Sequence, residues 1–274
     1  MKAPEVILNE GGPKAYAAAQ LEDACNVLWS QVRKANRKAV LLYVHGRAAG
    51  GFGNDREPHE SFIKDKVIDE FEREHRAAVA MLHWPHKALG TAYPEDAARA
   101  AGPLLTNLAR AATATRPHDL TAVPMVVITH SMGGIVLEEG VKQDAAAFDS
   151  AKFVVTAASA ARLEGSKSWL ARLKPKTFVT RNRKDTALSW LSGGPFIGLG
   201  TVDSLVGSGL APQVFYLDVS NQAVGHPHFY AQGATQGGRA NLRERFFRKL
   251  YSGQEPVISD FERVVTEANV YQLK

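Results

Sequence analysis

Met125-Val126-Val127-Ile128-Thr129-His130-Ser131-Met132-Gly133-Gly134-Ile135-Val136-Leu137 is the stretch on which the fold turns. It runs from an apolar segment through an abrupt turn carrying a serine to two glycines and a fresh apolar pattern. A buried strand, a tight elbow and a helix have this appearance. On such an elbow the serine hydroxyl stands clear of the backbone, and the N–H of the next residue, Met132, faces the same space. Gly133 falls where the backbone packs too closely for a side chain. Thr129 stands where the first glycine of a G-x-S-x-G pattern would be. Ser131 reads as a nucleophile. The competing reading is an ordinary strand-to-helix turn that binds phosphate at the helix N-terminus. An S-x-G alone does not choose between them; the groups elsewhere in the chain do.

Working outward, Val123 to Thr129 is the strand feeding the elbow, and Ile135 to about Ala147 the helix leaving it. Upstream, Ala39 to Val44 is a continuous apolar run ending in His45-Gly46-Arg47, as strands buried on both faces read. Ala77 to Trp84 is a second strand, stopped by Pro85. Between them lie a glycine-rich loop at 48–60 and a helical stretch from Ser61 to His75. A helix opens at Pro94-Glu95-Asp96, where proline and acids suit the first turn, and Pro103 should kink or divide it. Nearer the start, Glu5 to Asn9 suits a short edge strand. Ala17, Leu21, Ala24, Leu28 and Val32 mark one face of a helix over 14–36.

Downstream, Lys152 to Ala157 and Thr177 to Thr180 are strands joined by a short helical piece around Trp169. Thr186 to Leu191 starts a helix, and 192–212 is rich in glycine. Val214 to Val219 is the last strong strand and Leu242 to Tyr251 the last strong helix. Val264 to Leu273 reads as a terminal edge strand. Strands and helices alternate throughout with no repeat and no break in composition. The expectation is therefore one α/β domain over 1–274 with a doubly wound, mostly parallel sheet and helices on both faces. Residues 1–38 would form an N-terminal extension, 39–252 the core and 253–274 an edge segment. His45, Ser131, Asp185 and His226 each follow a strand, so all four fall on the edge where such folds place ligands.

Composition bounds the function. The 274 residues include 45% hydrophobic and 22% charged residues, ordinary for a globular protein. One such domain buries about three quarters of its unfolded surface. The net charge of +5 is spread in short basic pieces, Arg33-Lys34 with Arg37-Lys38 and Arg181 to Lys184. Solvated faces account for these, and no nucleic-acid partner is expected. The single cysteine, Cys25, forbids an internal disulfide and reads as a buried structural thiol. Met1 to Asn9 holds neither the apolar stretch nor the cleavage site of a secretory leader, and no run approaches a membrane span. A cytoplasmic protein without a membrane span is expected; its oligomeric state is not readable.

The chain resembles the α/β-hydrolase superfamily, specifically its small serine esterases and lipases with little or no cap. The similarity covers roughly residues 39–250 and rests on Leu42-Tyr-Val-His45-Gly46, Thr129-His-Ser131-Met-Gly133-Gly134, Asn182-Arg-Lys-Asp185-Thr-Ala-Leu188 and Gly225-His226-Pro-His228-Phe229. Their order, serine then acid then histidine, is that of the superfamily. Acyl transfer explains the roles. A serine hydroxyl needs a base, the base needs a carboxylate on its far nitrogen, and the tetrahedral intermediate needs two N–H donors. The resemblance implies Ser131, Asp185 and His226 in those three roles and the Met132 and Arg47 N–H groups as donors. His45, Gly46 and His130 would line the substrate site.

Alternatives remain open for several residues. Spacing alone does not choose between His226 and His228 as the base; the Gly-His-x-x-Phe context of the resemblance favours His226. Asp185 before Thr-Ala-Leu would also make a good helix N-cap. Asp218 and Asp203 suit the acid role less well, while Arg181, Arg183 and Lys184 would keep Asp185 ionised. His130 is expected to pack beneath the site. His83 and His86 form an H-x-x-H without a third ligand, so no metal site and no cofactor are expected. Trp84, Trp190, Phe196, Leu199 and Phe229 could line an acyl pocket or belong to the core. Only about twenty residues separate the strands at 152–157 and 177–180, where many relatives insert a cap. The expected activity is hydrolysis of a small-molecule ester or acyl substrate. Alternatives are a lipase or thioesterase for longer chains, or a non-catalytic binding protein that keeps the fold.

Overall fold

The computed structural model describes residues 3–46, 60, 62, 67–84, 94–189, 196–199, 211–220, 226, 240–256, 261–265 and 270–273. The strands are β1 (Glu5–Asn9), β2 (Pro13–Tyr16), β3 (Ala39–Val44), β4 (Ala77–His83), β5 (Met125–His130), β6 (Phe153–Ala157), β7 (Lys176–Arg181), β8 (Val214–Asp218), β9 (Phe261–Val265) and β10 (Val270–Leu273). The α-helices are α1 (Leu21–Lys34), α2 (Glu95–Ala114), α3 (Gly133–Asp144), α4 (Ser166–Leu170), α5 (Thr186–Ser189) and α6 (Ala240–Tyr251).

Among the described residues the strands form one sheet in the order β2-β1-β4-β3-β5-β6-β7-β8-β10-β9. From β4 to β10 every neighbouring pair is parallel; β1 and β2 at one edge and β9 at the other are antiparallel. Both faces of the sheet are covered, which is why its central strands read as unbroken apolar runs. Along β3, Val40, Leu42 and Val44 enter one core with Leu28 and Trp29 of α1, Leu105 and Leu108 of α2 and Val136 of α3. Leu41 and Tyr43 enter the opposite core with Phe71, Phe178, Phe246 and Tyr251. This is the doubly wound α/β arrangement the sequence implies.

The chain passes from β3 to β4 on one side and then returns to place β5 on the other side of β3. At such a reversal the loops leaving the two strands splay apart and open a crevice at their carboxyl ends. The residues leaving β3 and β5 are His45-Gly46 and Ser131.

Several elements differ from expectation. Residues 14–20 are not α-helical: Pro13 to Tyr16 pair antiparallel with β1, and a 3-10 helix at Ala18–Gln20 leads into α1. The alanines there fit a helical period, but pairing with β1 overrides it. Of the stretch predicted helical over 61–75, Val67–Glu74 is a π-helix that buries Val67, Glu70 and Phe71. Pro103 lies inside α2 without dividing it. The long apolar face Ala98, Ala101, Leu105, Leu108 and Ala112, all buried, holds the helix across the missing hydrogen bond. The terminal edge segment is two strands, of which β10 extends the parallel sheet beside β8 and β9 forms the edge. Cys25 is buried in α1, where removal from water pushes its thiol up to about 12.

Candidate active site

The elbow is built by strain that its neighbours hold. Ser131 has φ +54°, a left-handed conformation rare for a residue with a side chain. Its N–H donates to the Ala157 carbonyl at the end of β6 (2.9 Å), and its carbonyl accepts from Gly134 (3.0 Å) and Ala160 (2.9 Å). Every backbone group of the strained residue is therefore paired. Met132 already has helical angles, so α3 begins immediately beyond the serine.

Two glycines make the close approach possible. A Cβ on Gly133 would sit 2.6 Å from the Val44 carbonyl oxygen, so the elbow packs against the end of β3 with no space for a side chain. A Cβ on Gly46 would sit 2.7 Å from Cβ of Ser131. The loop after β3 thus presses directly on the serine. Thr129 is fully buried, and its hydroxyl donates to the Val155 carbonyl (3.4 Å). A threonine is accommodated where the first glycine of the pattern would stand.

Asp185 is buried at the end of the turn after β7. One oxygen accepts from the Leu188 N–H (3.0 Å), capping α5; the other meets Nδ1 of His226 (2.7 Å). The N-cap role and the histidine-partner role, alternatives in the sequence, coexist on one carboxylate. His226 is partly exposed, and its ring lies 4.6 Å from that of His130, the residue before Ser131. With Nδ1 committed to the carboxylate, Nε2 is the nitrogen left for a proton acceptor's work. His130 thus packs against the His226 ring.

Two of the basic residues before Asp185 pair with a second acid. Arg181, at the end of β7, donates to Asp218 at the end of β8 (2.6 Å), and both are buried. Arg183 approaches the same carboxylate at 3.6 Å. Asp218 also accepts from the Ser220 backbone N–H (2.9 Å) and hydroxyl. Burial alone would raise its pKa, but the hydrogen bonds from Ser220 and Arg181 hold the carboxyl below the ordinary range. Arg181 and Asp218 are cross-strand partners in register, so the facing carboxylate takes the guanidinium.

The residues leaving β3 and β4 pack against one another. His45 is buried; its Nδ1 bonds the Gly46 carbonyl oxygen and its Nε2 meets Nδ1 of His83 (3.1 Å). Trp84, open in the sequence between acyl pocket and core, is fully buried; it donates its indole N–H to the His45 carbonyl (3.0 Å) and stacks on the His45 ring. Phe196 is buried beside Arg162. In the sequence His83 is only half of an H-x-x-H; its nearness to His45 follows from β3–β4 register, not from local spacing. Among the described residues no group of three or more histidine, cysteine or acidic side chains could hold a metal ion. Arg47, His228, His86, Asp203, Trp190 and Phe229 lie outside the described residues.

No family model and no curated protein matches the chain. Solved structures do. The esterase LipW from Mycobacterium marinum is 14% identical with a TM-score of 0.45, covering 86% of this chain and 90% of that one. EstE1, a carboxylesterase cloned from a metagenomic library, is 14% identical at 0.43, covering 87% and 97%. Esterase Est2 from Thermogutta terrifontis is 12% identical at 0.40, covering 79% and 80%. Likeness this remote says nothing about chemistry, which is read from the site itself.

Proposed function

We propose that the chain is a serine hydrolase of carboxylic esters, with Ser131 as nucleophile, His226 as base and Asp185 as its partner. The observation that carries this reading is the His226–Asp185 pair seated against His130, next to a serine held at φ +54°. Nε2 of His226 takes the Ser131 proton as Oγ attacks the acyl carbon. The tetrahedral oxyanion is met by the N–H groups of Met132 and Arg47. His226 then gives the proton to the departing alcohol, leaving an acyl-serine, and water repeats the sequence to release the acid. Asp185 holds the imidazole in the tautomer that presents a free Nε2 and stabilises the imidazolium. The single domain over 1–274, the cytoplasmic location and the absence of a cofactor belong to the same reading.

β6 ends at Ala157 and β7 begins at Lys176, and the connection holds only the short α4. No cap domain fits there, which favours short acyl chains of roughly two to six carbons, since an open site buries little of a longer one. Measuring kcat/KM across acyl lengths checks this; a steep rise toward long chains would favour the lipase or thioesterase alternative. The central test is labelling of the native protein by a fluorophosphonate. Modification of Ser131, lost in Ser131→Ala together with p-nitrophenyl ester hydrolysis, is expected. An unlabelled native protein would leave the non-catalytic binding reading in its place.

A further inference from the structure

Beside the serine, two buried histidines from neighbouring strands touch each other, and the triad chemistry uses neither. Resting on the hydrolase reading above, we propose that His83 is a positioning residue: it fixes the tautomer of His45, which in turn fixes the peptide group after Gly46 against the nucleophile.

The contact arises from strand pairing. β3 and β4 are parallel neighbours with Val44 opposite Leu82, so His45 and His83 leave the sheet side by side. Both are buried, with ring centroids 5.0 Å apart and ring planes inclined by 25°. The tautomers follow from the partners. Nδ1 of His45 bonds the Gly46 carbonyl, which only accepts, so Nδ1 carries the proton. Nε2 of the neutral ring is then an acceptor, facing Nδ1 of His83 at 3.1 Å and the Trp84 backbone N–H at 3.4 Å. Nδ1 of His83 must therefore donate. The result is a directed chain: His83 N–H to His45, His45 N–H to the Gly46 carbonyl. In the other His45 tautomer, two N–H groups would oppose each other at one end and a ring lone pair would oppose the carbonyl at the other.

The chain ends on a consequential group. A peptide unit is planar, so holding the Gly46 carbonyl also sets the direction of the amide in the same plane. That amide is the second oxyanion donor of the proposed reaction. Gly46 packs within contact distance of Ser131, and Trp84 holds the His45 carbonyl on the preceding peptide. His83 acts here through His45 and does not meet the substrate.

Losing an oxyanion donor outright costs on the order of 10²–10³ in kcat, so losing its orientation should cost about 10- to 100-fold. Replacing His83 by leucine is expected to lower kcat by that factor with KM little changed, and to weaken binding of a trifluoromethyl ketone that mimics the tetrahedral intermediate in parallel. His83→Asn, whose amide N–H₂ stands where Nδ1 does, should recover most of the loss. His83→Gln, whose amide reaches to the Nε2 position, should not. Equal kcat in the native and leucine proteins, or asparagine as poor as leucine, would overturn the assignment. Should the variants fail to fold, ¹⁵N NMR of the native imidazoles still decides: a His45 protonated at Nε2 sinks the proposal. Failure of the parent reading looks different, because the native protein itself would then neither hydrolyse esters nor label at Ser131.

Discussion

Asp185 and Asp218 leave neighbouring strands at the same edge of the sheet, and both are buried, yet they are held in opposite ways. Asp218 is held by the Arg181 guanidinium and by two donors from Ser220. Arginine does not surrender its proton, so this carboxylate keeps a permanently charged partner. Asp185 is held by the Leu188 backbone N–H and an imidazole. In the proposed reaction that imidazole takes up a proton and passes it on, so the same chemical group here faces a base and not a fixed cation. The partner, not the carboxylate, decides whether a buried acid at this edge is a rivet or a working part.

Substitution at the two sites separates these duties. Asp185→Asn should show the largest effect, a fall in kcat on the order of 10⁴, because the amide supports the wrong imidazole tautomer. Its Oδ1 can still cap α5, so the unfolding midpoint should move little; loss of activity only in step with loss of fold would erase the contrast. Asp218→Asn should do the reverse. Leaving Arg181 buried with a neutral partner should cost about 3 kcal/mol of stability in chemical denaturation, with kcat of the folded protein near native.

Acid sharpens the contrast further. The folded-state pKa of Asp218 lies below its ordinary value, so its stabilisation is complete above that value and is lost as pH falls through the depressed one. The stability difference between native protein and Asp218→Asn should therefore hold from neutrality down to about pH 4 and close below it. A difference unchanged at lower pH would contradict the role given to Arg181 and Ser220. The smallest effect is expected at Thr129, whose hydroxyl bond to Val155 is long. Thr129→Gly should leave kcat/KM within about twofold and cost roughly 1 kcal/mol through strand flexibility. A large gain in rate would mean that threonine had relaxed the elbow.

Much of this was legible in the sequence because it is local. The apolar run, serine and paired glycines of 125–137 specify strand, elbow and helix within one window. Asp185 was selected by its place after a strand, and its two readings could not be separated because a cap and an imidazole partner ask for the same side chain. What was not legible is set by register across the sheet. Arg181 meets Asp218 because β7 and β8 pair in that alignment, and His45 meets His83 although 38 residues separate them. Likewise Lys14 to Tyr16 read as helix on local spacing, and their place as a strand is set by pairing with β1.

Cys25 has a practical consequence. It is the chain's single thiol, and α1 seals it in the core with its proton firmly held. Alkylating reagents act on thiolates, so modification must wait until the helix lifts from the sheet. The rate at which such a reagent reacts is then a clock for that opening, built into the unmodified chain with no competing sulfhydryl to obscure it.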